Sequence, residues 1–164
     1  MPAHYSAELE QLRSTFHSPE INDTEARQQL LQCCIDGLQI QQVGLWHFAD
    51  HDLLRCQLLL DKDYGFSQEA LLVDRWSFPG YFAALDQKKV IRAVDALNDP
   101  ATRELADLFL KPFNIKSLLD VPIYADDTLT GIICCEQTAV TKHWTEEEVA
   151  FAIALADLYR LRFS

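Results

Sequence analysis

The run Gly131-Ile132-Ile133-Cys134-Cys135 constrains the fold most, because successive strand residues face opposite sides and here both sides are apolar. Such a strand lies centrally in a sheet and needs a covering layer on each face. Ser117 to Tyr124, joined to Leu129 to Gln137 across Asp126-Asp127, predicts the hairpin that holds it. The closing segment predicts one of the layers. Thr145 with Glu148 makes a capping box, and Trp144 with Val149 makes a hydrophobic staple. Glu146, Glu147 and Glu148 complement the positive end of the helix dipole. From Val149 to Leu161 this helix is apolar almost all round, with alanines between the larger residues, so it needs a second partner besides the sheet.

Upstream, Tyr5, Leu9, Leu12 and Phe16 recur at helical steps until Ser18-Pro19 ends the pattern. Asn22 and Glu25 form a second capping box, opening a helix whose stripe is Ala26, Leu30, Leu31, Cys34, Ile35 and Leu38. The period then changes. Val43 to Phe48 and Leu53 to Leu60 predict a hairpin around Asp50-His51-Asp52. Glu69 to Trp76 suits a strand or a helix, Phe78 to Leu85 a turn entering a short helix, and Val90 to Val94 a short strand. Asp99-Pro100 predicts a helix start, with the helix running through Leu105, Leu108 and Phe109 to Pro112.

The 164 residues fit one domain. A net charge of −11 argues against nucleic-acid and anionic-membrane partners, whose phosphates attract Lys and Arg. No run reaches the roughly 18 to 20 apolar residues of a membrane helix, and the opening Met1-Pro2-Ala3-His4-Tyr5 lacks a secretory layout. The expectation is a soluble, cytoplasmic protein. Cys33, Cys34, Cys56, Cys134 and Cys135 show neither C-x-x-C nor zinc-finger spacing, so they read as buried thiols, and no metal ligands emerge.

Several segments resemble GAF domains of the kind attached to bacterial histidine kinases and diguanylate cyclases. They are Val43 to Phe48, Asp99 to Leu105, Lys111 to Ile123, Gly131 to Glu136, and Trp144-Thr145 with Glu147-Glu148. The resemblance implies an α+β fold: a central antiparallel sheet of five to six strands, with the N- and C-terminal helices on one face. Short helices and loops would roof a pocket on the other. It divides the chain into an N-terminal helix (1–20), a dimer element, and the GAF domain (21–164). It further implies a sensory module that binds a small ligand, forms a homodimer through its terminal helices, and signals to an output domain such as a kinase or diguanylate cyclase.

The residues name no cofactor. The cyclic-nucleotide motif N-K-x-F-D-E has no equivalent, and no cysteine lies in the pocket segments to attach a bilin. Candidate ligand-binding residues are Trp76, Phe78, Tyr81, Phe82, Asp120, Cys134 and Glu136; candidate interface residues are Leu9, Leu12, Ala150, Ala154 and Leu158. Asp120 sits in an apolar strand and must have partners. Whether Glu136 shares its face depends on hairpin register, since one residue of slip flips every side chain. No catalytic set emerges. The alternatives are a ligand-free structural dimerisation module and an enzyme like the free methionine-R-sulfoxide reductases, whose thiols come from pocket loops that here contain none.

Overall fold

The computed structural model describes residues 2–163. Helices α1 (Ala3–His17) and α2 (Asp23–Leu38) precede the hairpin β1 (Gln42–Asp50) and β2 (Leu53–Asp61). Two short strands follow, β3 (Gly65–Ser67) and β4 (Leu72–Asp74), then α3 (Pro79–Asp86) and β5 (Ile91–Ala93). A 3-10 turn at Arg103–Leu105 runs into a π turn at Ala106–Leu110, and the chain closes with β6 (Ile115–Ala125), β7 (Thr128–Thr138) and α4 (Glu146–Phe163).

Both caps form, the Thr145–Glu148 box in full and the Asn22–Glu25 pair with Glu25 Oε1 accepting from the Asn22 side-chain amide at 2.7 Å. Asn22 Oδ1 accepts from Glu25 N at 2.8 Å, and Thr145 Oγ1 accepts from Glu148 N at 3.1 Å while Glu148 Oε1 accepts from Thr145 N at 2.9 Å. Spatial order in the sheet is β3-β2-β1-β7-β6-β5, all antiparallel, with β4 also pairing with β2. The strand apolar on both faces, β7, is central. The seven strands exceed the expected five or six because the loop after β2 folds back twice as three-residue stubs.

Each face of the sheet carries its own core. On one, Val43, Leu45, Leu119, Val121, Ile133 and Cys135 meet α1, α2 and α4. On the other, Trp46, Leu54, Cys56, Leu118, Ile132 and Cys134 meet α3 and the 3-10/π segment. A bulge opposite Leu45 and Trp46 flips the parity of β2, so Leu54 and Cys56 serve one core while Leu58 and Leu60 serve the other.

Three expectations change. The helix expected from Asp99 to Pro112 opens as a turn, with Asp99 Oδ1 accepting from Ala101 N at 2.9 Å, and continues from Arg103 as 3-10 and π turns. Lys111 N reaches back to Ala106 O at 2.8 Å, a wide turn that swings Phe109 and Leu110 toward the sheet. Glu69–Trp76 contributes only β4. The second partner of α4 is α1 of the same chain: Tyr5 stacks on Phe151 at 4.3 Å, and Phe16 meets Phe163 edge-on at 6.2 Å. Leu12 and Leu158, expected at a dimer interface, are therefore buried inside the chain. Leu9 packs partly against the same core, Ala154 is half-buried and Ala150 is exposed.

Candidate functional site

Between the sheet and its roof lies a cavity of about 30 Å³, room for a water molecule or two. Its floor is Trp46 of β1, Leu54 of β2, Leu118 of β6, and Ile132, Cys134 and Glu136 of β7. Its roof is Tyr81 of α3 with Leu105, Phe109 and Leu110 of the 3-10/π segment, and Val73 of β4 closes the side. The roof is fastened by polar contacts. Glu104 Oε1 accepts from Tyr81 N at 2.8 Å near the start of α3, and Thr102 donates its hydroxyl to Ala96 O at 2.7 Å.

Asp120 pairs with Cys134 across β6 and β7, and Leu118 pairs with Glu136. Leu118, Cys134 and Glu136 all line the cavity, and Tyr81, its roof residue, donates its hydroxyl to Asp120 Oδ2. The hairpin register thus places both carboxylates on the cavity face. Asp120 is 1% exposed, and its Oδ1 has no hydrogen-bond partner among the described residues. Burial pushes its carboxyl up to about 6, although the neighbouring Cys134 thiol and the Tyr81 hydroxyl pull the other way. Glu136 is 7% exposed and accepts from Gln42 Nε2 at 2.9 Å through Oε1 alone. Burial, reinforced by the negative charge of Asp120, pushes its carboxyl up to about 7. The same burial, with both carboxylates nearby, raises the Cys134 thiol well above its ordinary value. Cys134 is accordingly a poor nucleophile.

The other expected ligand residues divide. Phe78 and Phe82 belong to the roof core without lining the cavity, and Phe82 packs edge-on to Phe48 at 6.1 Å under the Arg75 guanidinium. Trp76 is a correction: it is 81% exposed, on the turn where Ser77 N donates to Asp74 Oδ2, and it points away from the cluster it was expected to join. Trp46, Gln42, Phe109 and Leu110 are the site residues that sequence reasoning missed. A signal existed for the first two, since Gln42, Gly44 and Trp46 share strand parity opposite Val43 and Leu45. His47, with Val43 and Leu45, faces the helices; burial, then Arg55 and Arg27, lower its pKa. No group of three or more metal-ligating side chains occurs among the described residues.

The profile of the GAF domain family matches residues 24–162. No curated protein matches the chain. Among solved structures, the GAF domain of a phosphoenolpyruvate-protein phosphotransferase from Coxiella burnetii aligns with a TM-score of 0.74 at 20% identity, over 96% of this chain and 91% of that one. The blue-light absorbing form of the Thermosynechococcus elongatus PixJ GAF-domain gives 0.66 at 18% identity, over 96% and 90%. The chromophore binding domain of Stigmatella aurantiaca phytochrome P1 gives 0.73 at 10% identity, over 99% of this chain and 60% of that one. Likeness at these identities is likeness of fold.

Proposed function

This chain belongs to the GAF domain family, and on that premise we propose that it is a sensory module that binds a small ligand in the roofed cavity and dimerises through its terminal helices in bacterial signal transduction. One observation carries the ligand reading: a buried carboxylate, Asp120, keeps an unmet acceptor beside a cavity lined by a second carboxylate. Such a group costs about 1–3 kcal/mol, and folds retain such costs chiefly at functional sites. The Stigmatella aurantiaca phytochrome P1 domain, similar in fold, is a chromophore binding domain, which supports a small-ligand site on this fold.

The signal is a population shift. Cys134 faces the cavity, and its neighbour Cys135 faces the helices, with its sulfur 3.5 Å from that of Cys34 in α2. A ligand that moves β7 therefore presses on the helical layer, and a homodimer built on α1 and α4 passes the change to an output domain such as a kinase or diguanylate cyclase. The module acts in the cytoplasm and is not itself an enzyme. No helix among the described residues is long and apolar enough to cross a membrane. A sulfoxide reductase would need an accessible thiolate, whereas Cys56, Cys134 and Cys135 are buried with raised pKa values.

Native mass spectrometry of protein purified from its own host tests the reading, with a retained small molecule as the expected result. The small cavity volume favours one rival, a ligand-free structural dimerisation module. That rival prevails if no mass is retained and no nucleotide, tetrapyrrole or metabolite shifts the melting temperature.

A further inference from the structure

We infer that the cavity accepts a small ammonium-type cation, held by the carboxylate of Glu136 and by the aromatic side chains of Trp46, Tyr81 and Phe109. The inference rests on the reading of the cavity as the ligand site. Its first support is charge. Glu136 is the only charged residue in the lining, and no Lys, Arg or His joins it among the described residues. Asp120 stands behind Tyr81 and Cys134 on the same face. An anion entering here would meet two carboxylates with no counter-charge, whereas a cation would neutralise a buried negative pair.

Hydrogen bonding gives the second support. Asp120 Oδ1 is buried without a partner among the described residues behind the cavity wall, and Glu136, the carboxylate in the lining, accepts from Gln42 through Oε1. An ionised carboxylate in the lining offers acceptors only and so suits a ligand with donors, and an ammonium group carries donors and no acceptor. The aromatic lining is the third. Trp46 and Phe109 meet edge-on at 5.7 Å, with Tyr81 across the same cavity. Aromatic faces combined with a carboxylate favour organic ammonium ions, through the ring quadrupole. Size sets the limit: about 30 Å³ suits a head group of one or two heavy atoms, and a longer amine would need the 3-10/π roof to open.

The test titrates methylammonium chloride, methanol and sodium formate separately into the folded protein at pH 8 and matched ionic strength, following the indole N–H resonance of Trp46. Methylammonium should shift it saturably, and methanol and formate should not. Glu136→Gln keeps the shape and should weaken methylammonium at least tenfold; if that variant does not fold, Asp120→Asn takes its place and should also weaken it. Saturation by methanol or formate at comparable concentration would overturn the choice of a cation while leaving a ligand cavity in place. No saturation by any of the three, or unchanged methylammonium affinity in the variant, would also overturn it. The retained-mass measurement then decides separately whether the cavity binds anything.

Discussion

The hydroxyl of Tyr81, on the roof helix α3, donates to Asp120 Oδ2 in the middle of β6, joining the two layers that enclose the cavity. Replacing Tyr81 with Phe removes the one hydroxyl donor that reaches Asp120 among the described residues. The expected loss is about 1.5–3 kcal/mol in urea unfolding, with the Asp120 carboxyl moving further up. A midpoint within about 0.5 kcal/mol of the parent would mean that the roof is held by apolar packing alone.

Stability should fall as pH rises through the range set by the two carboxyls. Asp120 is raised from 3.8 to about 6 and Glu136 from 4.5 to about 7, in both cases chiefly by burial. The folded state therefore holds their protons more tightly than the unfolded chain does. Their contribution is full below about pH 4 and is lost by about pH 7, each group adding a slope of at most about 1.4 kcal/mol per pH unit. Asp120→Asn and Glu136→Gln should each flatten the curve within that window. Parallel curves for parent and both variants would contradict the raised values.

Two glycines test how tightly the layers fit. A Cβ on Gly37 of α2 would lie 2.3 Å from the Phe151 ring, and one on Gly131 of β7 would lie 2.2 Å from the backbone oxygen of Trp46. Helix propensity favours Ala over Gly by about 1 kcal/mol, but overpacking costs about 1–3 kcal/mol. Gly37→Ala should therefore destabilise modestly as the ring shifts. Gly131→Ala should cost more, because backbone in the sheet centre cannot move aside. Thermal unfolding of the pair checks the order, and a stabilised Gly37→Ala would show that Phe151 yields freely.

The helical layer separates association from folding. Ile153 of α4 is 40% exposed, while Leu158 on the same helix is buried against α1 and the sheet. Ile153→Glu and Ala154→Glu should convert a dimer to a folded monomer in light scattering. Leu158→Glu should unfold the domain by burying an unpaired charge. A parent protein that is monomeric at high micromolar concentration would remove dimerisation from the proposal.

The thiols should be slow to alkylate in the folded protein. Burial raises Cys33 and Cys56 to about 12, so at pH 8 roughly one molecule in ten thousand carries either thiolate. Cys33, the half-buried one, should react first with iodoacetamide, and all should react after denaturation. Rapid modification of Cys134 in the native protein, read by peptide mass spectrometry, would reopen the reductase alternative.

What could be read from residues alone was local. Asn22 with Glu25 and Thr145 with Glu148 span three positions each, so the atoms that make those caps are already neighbours in sequence. The two-faced apolar run at Gly131–Cys135 likewise announced a central strand, because strand alternation is a property of the backbone. The stretch after Asp99 escaped such reading. Its first turn follows the local signal, but Thr102 turns its hydroxyl to Ala96, and Leu105, Phe109 and Leu110 reach the core on that face of the sheet through 3-10 and π turns.

The sequence by itself determined the capped helices, the two hairpins and the need for a layer on each side of β7, since these follow from periodicity and near-neighbour hydrogen bonds. Tertiary structure alone decided that Asp120 and Glu136 share the cavity face, that Trp76 stays outside, and that α1 takes up the free side of α4. Those outcomes depend on strand register and on contacts between residues far apart in the chain, where a single position of slip exchanges the inside for the outside.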